Sequence, residues 1–167
     1  DIAALVGRLS ERAGVLRGLG GPCDPLVETC SNGNRHSHVV ILRVSAFYLA
    51  YILYRFPDVP WSQRTKSALH HTAKDADWYS LTTNNIGNSV LPLVAMRIFV
   101  GEVMGDSELY EYGRTQLYEG RDNSVRHGLP EPVAAHYAGS TLRYLAMMTV
   151  LRDPDLRGIV ESLLAYS

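Results

Sequence analysis

The chain has 167 residues, of which 46% are apolar and 20% charged, and a formal net charge of −1. That composition suits a single globular domain with a sizeable core and excludes a disordered or fibrous chain. Lys and Arg are balanced by Asp and Glu, so no basic excess is available to hold phosphates, and nucleic acid is not an expected partner.

Apolar residues recur at three- and four-residue steps in seven stretches, and no segment alternates as a half-buried strand would. The fold class expected is therefore all-α. The first helix is expected at roughly 2 to 18. It is followed by the Gly/Pro/Asn-rich stretch GGPCDPLVETCSNGN, which holds the only two cysteines, Cys23 and Cys30. They are read either as a disulfide in a short loop, implying export, or as two free thiols. A second helix is expected over 38 to 56. Its run from Val39 to Phe56 is broken by Arg43, Ser45 and Arg55, so it reads as a buried helix and not a membrane span.

Further helices are expected at 61 to 75, 88 to 104, 107 to 119, 133 to 151 and 154 to 166. Pro57 and Pro60 cannot sit inside a helix without losing a hydrogen bond, so they divide the second helix from the third. Gly105 suits a left-handed C-terminal cap, Asp106 or Ser107 the following N-cap, and Asp153-Pro154 a cap before a first-turn proline.

Asp58, Asp106 and Asp153 are 48 and 47 residues apart, and each is followed eleven residues later by a leucine: Leu69, Leu117 and Leu164. This period marks paired helices. The chain reads as one domain of consecutive antiparallel helical hairpins, 38–75, 88–119 and 133–166, preceded by one N-terminal helix. They form an open arc or part of an α/α toroid.

Links between hairpins are longer than the turns within them, at 19 to 37, 76 to 87 and 120 to 132, and long loops on a helical scaffold are where sites are built. The second link carries Trp78, Tyr79, Asn84 and Asn85, with Asn88 just beyond it at the mouth of a helix. Amides bind carboxylates or sugar hydroxyls without adding charge, and aromatic faces stack on sugar rings. They are equally turn formers and packing residues. The third link and the helix after it bring Arg126, His127, Glu131, His136 and Tyr137 close in sequence. Histidine exchanges a proton near neutral pH, and arginine holds an anion or assists a neighbouring tyrosine. The alternative is that His136 and Tyr137 are half-buried helix residues and that Gly139 permits close helix packing. His70-His71 and His36/His38 lack the spacing or acids of a metal site, and no Walker loop, HExxH or GxSxG occurs. No cofactor or metal is expected.

The segment from Trp78 to Gly105, with HGLPEPVAAHYAGSTLRYLAMM after it, resembles the α/α-toroid polysaccharide lyases, the heparinase-, alginate-lyase- and hyaluronate-lyase-like proteins. The resemblance implies β-elimination at a uronic acid residue of an acidic polysaccharide or oligosaccharide. In those terms Asn85 or Asn88 matches the amide that neutralises the substrate carboxylate, His127 or His136 the histidine, and Tyr137 the tyrosine. Trp78, Tyr79, Asn84, Arg126, Glu131 and Arg143 become the expected substrate contacts. Thr141 stands near where the family carries a second tyrosine, and a closed ring needs a longer chain. The resemblance and a Cys23–Cys30 bridge together imply a secreted or periplasmic location. Two other readings stand beside this one. A glycoside hydrolase on the same scaffold would use Asp122 and Glu131, and a non-catalytic repeat module would bind a partner on a concave face.

Overall fold

A computed structural model describes residues 46–75, 90–127 and 135–165, with the backbone alone for 75 and 135–137. Six helices and no strand are found among them, so the chain is all-α as expected. They are α1, whose described part is 46–55, α2 (Gln63–Asp75), α3 (Leu91–Met104), α4 (Ser107–His127), α5 (Ala135–Met148) and α6 (Pro154–Ala165). The expected helix at 2 to 18, both cysteines, and His36 and His38 lie outside the described residues.

The architecture is organised around α3. Every residue from Leu91 to Gly101 is buried, as happens when a helix is apolar all round and has neighbours on every side. Its most extensive contact is with α4, followed by α2, and it also touches α5; α5 and α4 in turn pack on α6. From the other side α1 presents Phe47, Tyr51 and Tyr54 to Phe99, with ring centres 6.2, 6.1 and 4.7 Å away. Phe47 also meets Tyr144 of α5 edge-on at 5.0 Å. Each fully buried Leu or Phe in this cluster contributes about 1.5–3 kcal/mol over an exposed one.

Two glycines make the α3–α4 contact close. A Cβ on Gly101 would lie 2.6 Å from the Tyr110 backbone nitrogen, and one on Gly113 would lie 2.9 Å from Arg97 Cβ. The pairs Gly101 with Tyr110 and Gly113 with Ile98 run in opposite senses along the two helices, so α4 lies back along α3. Gly139, by contrast, is exposed with nothing within 4 Å of a Cβ, so it makes no close helix approach.

The buried centre of α3 also holds a cation. Arg97 is fully buried; its Nε donates to the Ala73 carbonyl at 3.2 Å and its Nη1 to Gln116 Oε1. The guanidinium also lies 4.3 Å from the centre of the Tyr112 ring. Burying a guanidinium is costly unless its donors are satisfied. Here they are spent on the last turn of α2 and on α4, so one side chain ties three helices.

Turn chemistry is largely as expected. Gly105 has φ 68°, its N–H bonds Glu102 O, and the Asp106 N–H reaches Gly101 O at 2.9 Å, the Schellman arrangement. Asp106 caps α4 through the Leu109 N–H at 3.0 Å, and Asp153 caps α6 through the Asp155 and Leu156 N–H groups at 2.8 and 3.3 Å.

Asp58 lies exposed in the turn after α1, where the repeat places it, and the hydroxyl at the start of α2 is Ser62, which accepts the Thr65 N–H at 3.2 Å. Of the leucines that follow the aspartates, Leu69 and Leu117 are buried, whereas in the third unit Leu163 is fully buried and Leu164 partly covered. One expectation needs correction. The link expected over 120 to 132 is helical as far as His127. Its Gly, Asp, Asn and Ser residues look like breakers, but the buried stripe Leu109, Gly113, Leu117, Gly120, Ser124 keeps the helical step with small residues that an apolar count passes over.

Candidate functional site

The extension of α4 changes the setting of the expected site. Arg121, Asp122, Arg126 and His127 stand on a helix and not in a loop. Together with Val125 of α4 and Ser162 of α6, Arg121, Asp122 and Arg126 line an open groove of about 470 Å³. Arg121 is engaged within the helix: Nε and Nη2 both reach Asp122 Oδ1, at 2.8 and 2.7 Å, and its guanidinium lies 5.4 Å from the Tyr118 ring centre. Arg126 and His127 are exposed. They sit in the last turn of α4, where a cation also suits the negative end of the helix dipole. With Arg121 paired to Asp122, the net positive charge of the lining is that of Arg126, beside an apolar valine that is 56% exposed.

Arg143 lies elsewhere, on α5, exposed, with Nη1 donating to the Tyr48 hydroxyl of α1 at 3.3 Å. That bond pushes the already high guanidinium pKa further up. The adjacent Tyr144 is 6% exposed, and burial pushes its phenol up, with the nearby Tyr48 adding to the shift.

The turns hold a denser polar network. Tyr54 donates to Glu102 Oε2 at 2.8 Å and accepts the Arg152 N–H at 2.9 Å, while Arg152 Nη1 reaches Glu102 Oε1 at 3.1 Å. Burial, reinforced by Glu102, pushes Tyr54 up to about 12. Tyr110 donates to Asp153 Oδ2 at 2.8 Å and is likewise pushed well up, chiefly by burial. Burial raises Asp153, but the Tyr110 bond and the Leu156 and Asp155 amides outweigh it and hold that carboxyl below its ordinary range. Asp106 Oδ2 receives Lys74 Nζ at 2.8 Å and His70 Nε2 at 2.7 Å. Lys74, the Leu109 amide and His70, in that order, hold the Asp106 carboxyl far below the usual range. These groups join helices through their bonds to one another. Among the described residues no group of three or more His, Cys, Asp or Glu is placed to hold a metal ion. No helix among them is long and apolar enough to cross a membrane.

Of the residues expected at the site, Arg126 and His127 are adjacent on α4, and Arg143 is paired with Tyr48 of α1. The backbone of His136 and Tyr137 lies in the first turn of α5, their side chains outside the described set. Trp78, Tyr79, Asn84, Asn85, Asn88 and Glu131 lie outside the described residues. Reasoning from sequence passed over Arg121 as a groove residue and Tyr48 as a partner of Arg143. For Arg121 the Arg-Asp doublet followed by Arg126 was a usable signal. A contact between residues 95 apart leaves none. No family model, curated protein or solved structure matches the chain.

Proposed function

We propose that the chain is a carbohydrate-active domain that cleaves an acidic polysaccharide by β-elimination at a uronic acid residue. In this reading its helices are consecutive antiparallel hairpins along an arc of an α/α toroid. The observation that supports it most is the groove at the end of α4 with Arg126 on its lining, and His127 beside it one short link before the turn of α5 that carries His136 and Tyr137.

The uronate carboxylate is held by Arg126 and by the amide of Asn85 or Asn88, which withdraws charge and acidifies the adjacent C–H. His127, His136 or Tyr137 takes that proton. The electron pair forms the carbon–carbon double bond as the glycosidic oxygen leaves, and Tyr137 returns a proton to it.

Incubation with alginate, polygalacturonate and hyaluronan, followed by ultraviolet absorbance of the unsaturated product, tests the reading. A steady gain with one polymer, lost in Tyr137→Phe and shifted to higher KM in Arg126→Gln, is expected; no gain with any of them overturns it. A second reading is a non-catalytic helical binding module, in keeping with the exposed Val125, Arg126 and His127 on α4. In that case polymer affinity is measured without product.

A further inference from the structure

Among the described helices, α2 buries the least apolar bulk. Its buried side chains are Thr65, Leu69 and Ala73, and Leu69 is the only large apolar residue in its sequence, QRTKSALHHTAKD. The helix it packs on, α3, is buried at every position from Leu91 to Gly101. The polar groups that hold α2 in place sit in its C-terminal half. His70 Nε2 and Lys74 Nζ both reach Asp106 Oδ2, at 2.7 and 2.8 Å, in the turn between α3 and α4. The Ala73 carbonyl is among the last four of the helix, which have no partner within it, and it accepts from the buried Arg97 Nε at 3.2 Å. The other end is fixed by apolar packing: Trp61, two residues before α2, belongs to the core, and its Nε1 donates to the Phe56 carbonyl at 3.0 Å.

We propose that α2 is a hinged arm, pivoting beside Trp61 and latched to Asp106 and Arg97, which opens as a unit while the helices around α3 stay folded. A segment with few buried apolar contacts opens at a lower free energy than the whole chain, and it opens cooperatively. The charged ties are weak one by one, because His70 and Lys74 are partly exposed. His70, Ala73 and Lys74 lie within little more than one turn of α2, so the three ties are made and lost together. Opening withdraws Leu69 and Ala73 from the core cluster they share with α3 and removes the Ala73 acceptor from Arg97. The position of the arm and the hydrogen bonding of the buried guanidinium are therefore coupled.

Native-state hydrogen exchange of the full chain without ligand, read at the amides of α2 and α3, tests the arm. Amides from Leu69 to Ala73 are expected to exchange as a group, at least about tenfold faster than those from Ile98 to Gly101. Asp106→Asn keeps a capping side chain for α4 and removes the charge that meets His70 and Lys74, so it is expected to speed the α2 group about threefold. Lys74→Gln, a change at an exposed position, is expected to act in the same direction by a smaller factor. Tyr54→Phe breaks a bond between α1 and α3 in which α2 has no part. It is expected to speed the α3 group about fivefold and to leave the α2 group unchanged. Exchange of the two groups at one rate in the parent, or an equal acceleration of both by Tyr54→Phe, means that α2 opens only with the rest of the chain and overturns the arm. An α2 group that responds to neither Asp106→Asn nor Lys74→Gln overturns the latch.

Discussion

At the turns, Tyr54, Asp106, Tyr110 and Asp153 each bond a partner on another helix, so the polar groups there act as ties between elements. In the C-terminal half of α4 the arrangement is reversed. Ser124 Oγ is buried without a partner, while Arg126 and His127 face solvent. Stability and hydrogen-bonding capacity are thus kept in different places. A tie contributes to the fold by having its bonds satisfied, whereas a group that is to meet a ligand must keep some of its bonds unmade.

The sharpest way to break the contrast is at Asp106, which caps α4 and holds His70 and Lys74 at once. Asp106→Ala is expected to cost roughly 2 kcal/mol in urea unfolding, mostly the lost cap. Asp106→Asn keeps a capping side chain and loses only the charge, at a cost of about 1 kcal/mol or less. Because the folded pKa is depressed, the charge contributes fully above the unfolded carboxyl value near 3.9 and is lost as pH falls through the folded value. The gap between parent and Asp106→Asn should therefore begin to close below about pH 5. A gap that stayed constant into strong acid would remove His70 and Lys74 from the account.

A smaller effect is expected at Tyr54. Its raised pKa means that its stabilisation is present below the unfolded value near 10 and lost as pH rises through about 12. Tyr54→Phe should cost about 1 kcal/mol at neutral pH, and tyrosinate absorbance should lose one of its late-titrating groups, with Tyr110 remaining as another. The smallest change has the opposite sign. Thr141→Val removes an unpartnered buried hydroxyl and should stabilise the chain by up to about 1 kcal/mol. A loss instead would show that the hydroxyl has a bonding role.

The parts of this architecture that were legible in the sequence are those set by local chemistry. Gly105, Asp106, Asp153 and Pro154 announce helix ends because caps and left-handed turns depend on residues within one turn. The repeat placed Asp58 in the turn before α2, but it did not reveal that Ser62 supplies the hydroxyl at the start of that helix. The end of α4 was hidden because Gly113, Gly120 and Ser124 continue its buried stripe without apolar bulk. Arg97 was hidden differently: its acceptors are a backbone carbonyl on α2 and an amide on α4, neither of which a motif records. In the candidate site, Arg126 and His127 were legible as neighbours, whereas the pairing of Arg143 with Tyr48 exists only through the packing of α1 on α5.

The central claim is that the ties and the ligand-facing groups are separate sets. Nuclear magnetic resonance mapping of the full chain during titration with an oligogalacturonate tests it most directly. The account predicts shifted signals at Arg126 and His127, with Tyr54, Asp106, Tyr110 and Asp153 unmoved. Shifts concentrated on the second set, or none on the first, would contradict it.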